Sequence, residues 1–323
     1  MSNILVYALH FEGAINKNSL GAISAAAKLA GDLGGEAHVV LVGDDISDDT
    51  AASVGAYGAT KAYRVNAAAG TAQPVVDALD QIASGGDYGY ALFGGGLLGF
   101  EAGAGLAARR GGGIAVEVTG LTVDGGKLVA ERPVLGDSQI SKIGFKGFGV
   151  VVGRLNAFEA TEGGSPAPVE DVTVELSKAA GQINVVTRGE QRGADVNIED
   201  AQVLITGGRG LGKPESFSLA EDLAGAFGGN AAVAATRAAV DAGWFPYAGQ
   251  IGQTGKTVAP KLYVGLGVSG AIQHKVGMQS AEAIVAINKD ANAPIFDFAD
   301  LGVVGDLHAI TPALTEAIKA KKG

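Results

Sequence analysis

The segment that constrains the fold most is 261–290, KLYVGLGVSGAIQHKVGMQSAEAIVAINKD. A short apolar run, Leu262–Val264, meets Gly265-x-Gly267-x-x-Gly270. A helix-compatible stretch begins at Ala271, and a second apolar run, Ile284–Ile287, ends at Asn288. Strand, glycine turn, helix, strand is the layout that lays a dinucleotide pyrophosphate on a helix N-terminus. The first glycine lets the chain turn tightly. The second lets backbone N–H groups approach phosphate oxygens, and the third lets helix and strand pack closely. The chain holds 52 glycines, so GxGxxG alone is weak; the flanking strand and helix pattern gives this one its weight.

Around that unit, strands and helices alternate. Gln202–Thr206 and Ala231–Ala235 read as strands, with Phe217–Phe227 as a helix between them. Pro312 to the end reads as a C-terminal helix, with Lys319, Lys321 and Lys322 placed against its dipole. In the first half, Ile4–Leu9, Ala37–Val42 and Tyr90–Phe93 read as strands, and Ser19–Leu33, Asp48–Tyr57 and Pro74–Ala83 as helices. Strands separated by helices of this length imply parallel βαβ units. From about Ile114 the texture turns β-rich. Val116–Thr122, Lys127–Val134, Ile140–Phe145 and Gly149–Val152 read as successive strands, with a hairpin turn at Asp124-Gly125-Gly126. The polar, turn-rich stretch 159–200 puts a domain boundary near Gly189–Gly193, giving domains 1–190 and 191–323.

Composition removes whole classes of chemistry. With no cysteine there are no disulfides, thiolate metal sites or cysteine nucleophile. The four histidines, His10, His38, His274 and His308, show no metal-motif spacing. Electrons handled by such a chain must be carried by an organic cofactor. The net charge of −10 argues against a nucleic-acid or anionic-membrane surface. Arg209 to Lys275 nevertheless holds six basic against four acidic residues, which suits a small anionic ligand. The N-terminus runs straight into a strand-like segment without a signal or transit peptide. No apolar run reaches the ~18–20 residues of a membrane helix. A cytoplasmic protein without membrane insertion is the expectation.

Other loops supply polar groups at strand ends. Gly207-Gly208-Arg209-Gly210-Leu211-Gly212-Lys213-Pro214 nearly spells a P-loop, but Pro214 stands where a hydroxyl is needed. The better reading is a strand-end loop whose Arg209 reaches a phosphate. Thr236-Arg237 ends another strand, where a cation points into the crevice such folds use for ligands. Residues 250–256, QIGQTGK, form a donor-rich glycine loop; Ser269 carries a hydroxyl, and His274 follows the glycine turn. Asn288 stands where the acidic residue that binds an NAD ribose is usual, with Asp290 two positions on, which counts against an ordinary NAD dehydrogenase. No catalytic triad, nucleophile elbow or HExxH appears. A cofactor cradle without machinery for a substrate fits a protein whose cofactor is the active part.

Six blocks in order resemble the alpha subunit of electron-transfer flavoprotein: GGRGLG at 207–212, ATRAAVDAGW at 235–244, QIGQTGK at 250–256, APKLYVGLGVSGAIQHKVGM at 259–278, AIVAINKDANAPIF at 283–296 and DLGVVGDL at 300–307. The resemblance implies an α/β chain of two domains, each a mostly parallel sheet flanked by helices. The C-terminal domain would be Rossmann-like and bind FAD; the N-terminal one would be nucleotide-hydrolase-like with a β-rich tail, serving as scaffold and beta-subunit contact. It implies a non-covalently bound FAD, a heterodimer with a beta subunit, and electron shuttling without substrate conversion. Electrons would pass through a flavin semiquinone, from flavin dehydrogenases such as acyl-CoA dehydrogenases to a membrane quinone oxidoreductase or similar acceptor. Residue by residue, it makes Arg209, Thr236, Arg237, Ile251, Gly252, Gln253, Thr254, Ser269, Gly270, Ala271, Ile272, Gln273, His274, Asn288, Asp306 and Leu307 cofactor-binding. Within that set Thr254 would approach flavin N5, His274 the pyrimidine-side carbonyl oxygen, and Arg237 the ring face or edge. Thr236 replaces the family's usual serine, and the loop after Gly212 is slightly longer than in many relatives. The remaining alternatives are an NAD(P)-dependent oxidoreductase and a regulatory module sensing ATP or AMP through its first domain.

Overall fold

The computed structural model describes residues 2–11, 13–68, 70–135, 138–183 and 197–322. The chain forms two compact units, residues 1–187 and 188–323. The boundary expected near Gly189–Gly193 lies outside the described residues.

The first unit begins with β1 (Asn3–Tyr7), a two-residue ladder of β2 (His10–Phe11) and β3 (Ala14–Ile15), and α1 (Lys17–Asp32), capped by the Asn16 side chain. Then follow β4 (Ala37–Val42), α2 (Asp48–Ala52), β5 (Lys61–Val65), α3 (Ala72–Ser84), β6 (Tyr88–Phe93) and α4 (Leu97–Arg110). Every residue of β4 is buried, as a strand covered on both faces requires. Ile4 and Val6 face a core with Ile23 and Leu29 of α1. Their neighbours Leu5 and Tyr7 face the opposite core, with Leu79 of α3 and Leu106 of α4.

The β-rich part divides between two sheets. β7 (Gly113–Val118) and β11 (Gly149–Gly153) join the parallel sheet, as does β12 (Val169–Asp171), giving the order β12-β5-β4-β1-β6-β11-β7. β8 (Gly120–Asp124), β9 (Lys127–Val134) and β10 (Gln139–Gly144) form a separate antiparallel sheet. The single strand expected over Val116–Thr122 is therefore two strands in different sheets. Glu117, at φ 57°, sits in β7 where its register against β11 shifts, and pairs with Arg154 at 3.0 Å. The strand order reverses at β1, the usual place for a ligand crevice. Here the chain fills it: Leu9 N–H donates to Ser19 at 3.0 Å and Asn156 N–H to Asn18 at 2.6 Å. A helix that the sequence reading passed over, α4, lies in this unit.

The second unit contains β13 (Val203–Gly207), α5 (Ser218–Phe227), β14 (Ala231–Thr236), α6 (Arg237–Asp241) and β15 (Gln250–Ile251). β16 (Leu262–Leu266), α7 (Ile272–Met278), β17 (Ala283–Asn288), β18 (Leu301–Val304) and α8 (Leu307–Lys322) complete it. All six strands are parallel, ordered β15-β14-β13-β16-β17-β18. The order reverses between β13 and β16, so the loops leaving those strands sit side by side at the sheet's C-terminal edge. The C-terminal helix starts at Leu307, not Pro312, because Asp306 caps it by accepting from His308 N–H at 3.0 Å. Pro312 then removes one helical donor, the one that would reach the carbonyl of the exposed His308. Among the described residues no helix is long and apolar enough to cross a membrane.

Candidate functional site

Between the loops that follow β13, β14, β15 and β16 lies a cavity of about 420 Å³. The loop after β13 sends Gly208 and Arg209 into its wall, β14 and α6 send Thr236, Arg237, Ala238 and Asp241, and β15 with its following loop sends Ile251, Gly252, Gln253 and Thr254. Gly267, Ser269 and Ala271 come from the glycine turn, and Gln273 and His274 from α7.

The two central loops meet through main chain. Gly210 N–H donates to the Gly267 carbonyl at 3.0 Å, and Gly208 N–H to Leu266 at 2.9 Å. Gly267 has φ +63°, and a Cβ there would lie 2.6 Å from the Gly210 Cα, so both conformation and space exclude a side chain. Gly270, φ +82°, would put its Cβ 2.4 Å from the Ile295 nitrogen. The third glycine thus clears the chain at Ile295; it does not serve the helix–strand packing expected of it. α7 is also short, and His274 is its third residue.

Loop 250–256 is held by its neighbours. Gln253 N–H donates to the Gln273 carbonyl at 2.8 Å and Tyr247 Oη to the Thr254 carbonyl at 2.7 Å. The Thr254 hydroxyl accepts from Gln250 Nε2 at 3.2 Å, which leaves its own hydrogen for another partner. Arg209 stacks over the Trp244 ring, 5.6 Å from its centroid. Arg237 pairs with Asp241 at 3.2 Å, both side chains more than 60 % exposed. Such a pair is worth about 0.3–0.5 kcal/mol, so the guanidinium stays available.

Two lining groups stand out. Thr236 Oγ1 and His274 Nδ1 are buried and have no hydrogen-bond partner. Burial drops the His274 pKa to about 4, against a small opposing pull from the Ile251 carbonyl, so the imidazole is neutral at pH 7. Its other nitrogen, Nε2, meets the hydroxyl of Tyr263 at 2.8 Å.

Of the expected site residues, Gly270, Ile272, Asn288, Asp306 and Leu307 do not line this cavity. Asn288 Nδ2 donates to the Val268 carbonyl, Asp306 caps α8, and Leu307 is buried in the core. The rest of the expected set does line it. Gly208, Ala238, Asp241 and Gly267 are lining residues that the site reading had left out. Asp241 was legible as the i+4 neighbour of Arg237; Tyr263 gave no signal, since it sits in an apolar strand run.

Volume alone would choose another place. A groove of about 650 Å³ in the first unit lies between α1 and residues 157–164. It is open, and none of the buried unpartnered atoms line it. A third hollow, about 340 Å³ beside Arg64, offers no free cation, because Asp171 and Asp48 both pair with that guanidinium at 2.6 Å.

A family model described as the electron transfer flavoprotein FAD-binding domain matches residues 197–279, which include every lining residue of the 420 Å³ cavity. The electron transfer flavoprotein domain matches residues 4–177. The alpha subunit of electron transfer flavoprotein from Mycobacterium leprae is 40% identical, covering 100% of both chains. The chain belongs to the electron transfer flavoprotein alpha subunit family. The alpha subunit from Megasphaera elsdenii is 36% identical over 99% of this chain and 97% of its own. A protein of Anaerotignum propionicum named acryloyl-CoA reductase electron transfer subunit beta is 54% identical over 39% of this chain and 35% of its own. The family's work is electron transfer, its cofactor is FAD, and the NAD(P)-dependent reading is not favoured.

The cavity fits such a group. FAD carries carbonyl oxygens, the flavin nitrogens N1 and N5, and a pyrophosphate, all acceptors. The site offers two cations, a free hydroxyl hydrogen on Thr254 and two unpartnered buried polar atoms. Thr236 is buried at the cavity wall.

Proposed function

We propose that this cavity holds the FAD of an alpha subunit that pairs with a beta subunit and carries electrons without converting a substrate of its own. The observation that carries the reading is the pair of buried, unpartnered polar atoms on Thr236 and His274, which share one cavity at the strand-order reversal. A buried polar group left without a partner costs about 1–3 kcal/mol, which a ligand placed there would recover. In this reading Arg209, Thr236, Arg237, Ile251 to Thr254, and Ser269 to His274 bind the cofactor, with Asn288, Asp306 and Leu307 at the same edge of the sheet.

When bound, FAD supplies a ring that takes up and releases electrons one at a time. The chain's own groups set the cost of that charge. Arg237 keeps a permanent cation at the cavity mouth. Thr254 offers a hydroxyl hydrogen, and His274, neutral and dry, offers a ring N–H in surroundings where a donor acts more strongly than in water. Arg209 suits the pyrophosphate, held at the end of β13 by its stacking on Trp244. The donors we expect are flavin dehydrogenases, such as acyl-CoA dehydrogenases, and the acceptor a membrane quinone oxidoreductase or similar protein. The relative named for an acryloyl-CoA reductase supports a thioester-linked donor or acceptor.

The test is colour. The chain mixed with FAD and its beta subunit, then desalted, should keep a yellow flavin spectrum at about one FAD per chain. Thr236→Val should weaken FAD retention with the fold unchanged by circular dichroism. A colourless complex would overturn the reading.

A further inference from the structure

Tyr263 has no role in the site as built so far. It lies inside β16, fully buried, and is the largest side chain in that condition. A buried phenol needs a partner for its hydroxyl. The partner here is His274 Nε2 at 2.8 Å, with the two rings tilted 59° and their centroids 6.1 Å apart. Burial holds the phenol proton on and keeps the imidazole neutral, so exactly one hydrogen must be placed on the ring.

There are two ways to place it. In the first, the phenol donates to Nε2 and the imidazole hydrogen sits on Nδ1. In the second, Nε2–H donates to the phenol oxygen, and the phenol hydrogen must find another acceptor. The nearby candidate is the Thr206 hydroxyl, which interacts with the phenol, yet its oxygen makes no well-formed hydrogen bond. The second arrangement also leaves a bare lone pair on Nδ1, which is buried and without a partner. The first arrangement instead puts an N–H at that unpartnered atom, on a residue that lines the cavity.

We propose that Tyr263 is a positioning residue: its hydroxyl donates to Nε2 and locks the His274 hydrogen on Nδ1, so that this ring serves the cavity as a hydrogen-bond donor only. The lock itself belongs to the chain and needs no ligand. Its consequence for electron transfer rests on the FAD reading above. A donor-only imidazole favours negative charge in the cavity, and an imidazole free to change tautomer would present a lone pair part of the time.

The experiment is nitrogen-15 NMR of the full chain with labelled histidine, recorded without FAD and again in the FAD-loaded complex. His274→Gln assigns the signal among the four histidines. The expected result is a single neutral Nδ1–H tautomer in the unmodified chain. In Tyr263→Phe, which keeps the ring, the signal should move to a mixture or to Nε2–H, and the flavin potential should fall with FAD still bound one to one. Incorporated 3-fluorotyrosine, whose phenol is a stronger donor, should shift the Nε2 resonance further, and this arm holds even where Tyr263→Phe fails to fold. An Nε2–H tautomer in the unmodified chain overturns the proposal, as does an Nε2 resonance indifferent to fluorotyrosine, or a Tyr263→Phe variant with tautomer and potential unmoved. Loss of FAD from the unmodified complex would sink the cavity reading while the tautomer result stood.

Discussion

His274 shows how much a single side chain gives up to sit where it does. Its pKa of about 4 in the fold against about 6.5 free means that the unfolded chain binds a proton across that window and the folded chain does not. Stability from this residue is therefore complete above pH 6.5 and falls as the pH drops toward 4. The difference is on the order of 3 kcal/mol. Denaturant unfolding of the FAD-free chain at a series of pH values should show that acid loss, and His274→Gln should remove it. Arg237 behaves in the opposite way. It is exposed, and its pairing with Asp241 contributes little, so Arg237→Ala should change stability by no more than about 0.5 kcal/mol. A redox titration of the same variant should nevertheless show retained FAD with a lowered potential. The cations at strand ends could be found in the sequence because charge after an apolar run has few structural uses. Tyr263 could not, because a phenol inside LYV reads as core until its hydroxyl partner, eleven residues on, is brought beside it.

Elements were legible where their pattern was local. The strand–glycine–helix–strand unit at 261–288 and the Asp124-Gly125-Gly126 hairpin, with both glycines at positive φ, follow from turn chemistry alone. α4 was not legible, since LLGFEAGAGLAARR has no continuous apolar stripe. Its small residues make sense only against their neighbours: a Cβ at Gly103 would lie 2.9 Å from Val152, and one at Gly105 2.9 Å from Val76. The division of Val116–Thr122 between two sheets likewise depends on partners distant in sequence. At this scale Gly267→Ala should be severe, because it adds bulk against Gly210 at a positive φ. A loss of about 1–3 kcal/mol by denaturant unfolding is expected, together with loss of FAD binding by fluorescence titration. α3 offers a second test. Asp77, nearly fully buried, pairs with Arg109 and accepts the Ser177 N–H at 2.7 Å. Its burial alone would raise the carboxyl pKa, but the Ser177 N–H and the Arg109 guanidinium together bring it below the usual range. Its contribution is thus present above the unfolded value near 3.8 and is lost as the pH falls below it. Asp77→Asn should cost roughly 1–3 kcal/mol at pH 7, and the gap to the unmodified chain should close in acid.

Across the whole molecule, each unit has its own pair of cores, one on either face of its own sheet. The FAD-binding match and the cavity both fall in the second. A ligand that binds one folded unit stabilises that unit by mass action, by about 2.7 kcal/mol at a hundred times its dissociation constant. Calorimetry with increasing FAD should therefore raise one unfolding transition and leave the other in place. A shift of both together would show a single cooperative block. The first unit's sheet spends its own crevice on packing, with Asn18 and Ser19 of α1 tied across it. The same partition sorts inherited damage. Faults in the first half should thin the supply of subunit in a cell, whereas the loss of a cofactor-facing hydroxyl such as that of Thr236 should leave the quantity normal and the protein pale.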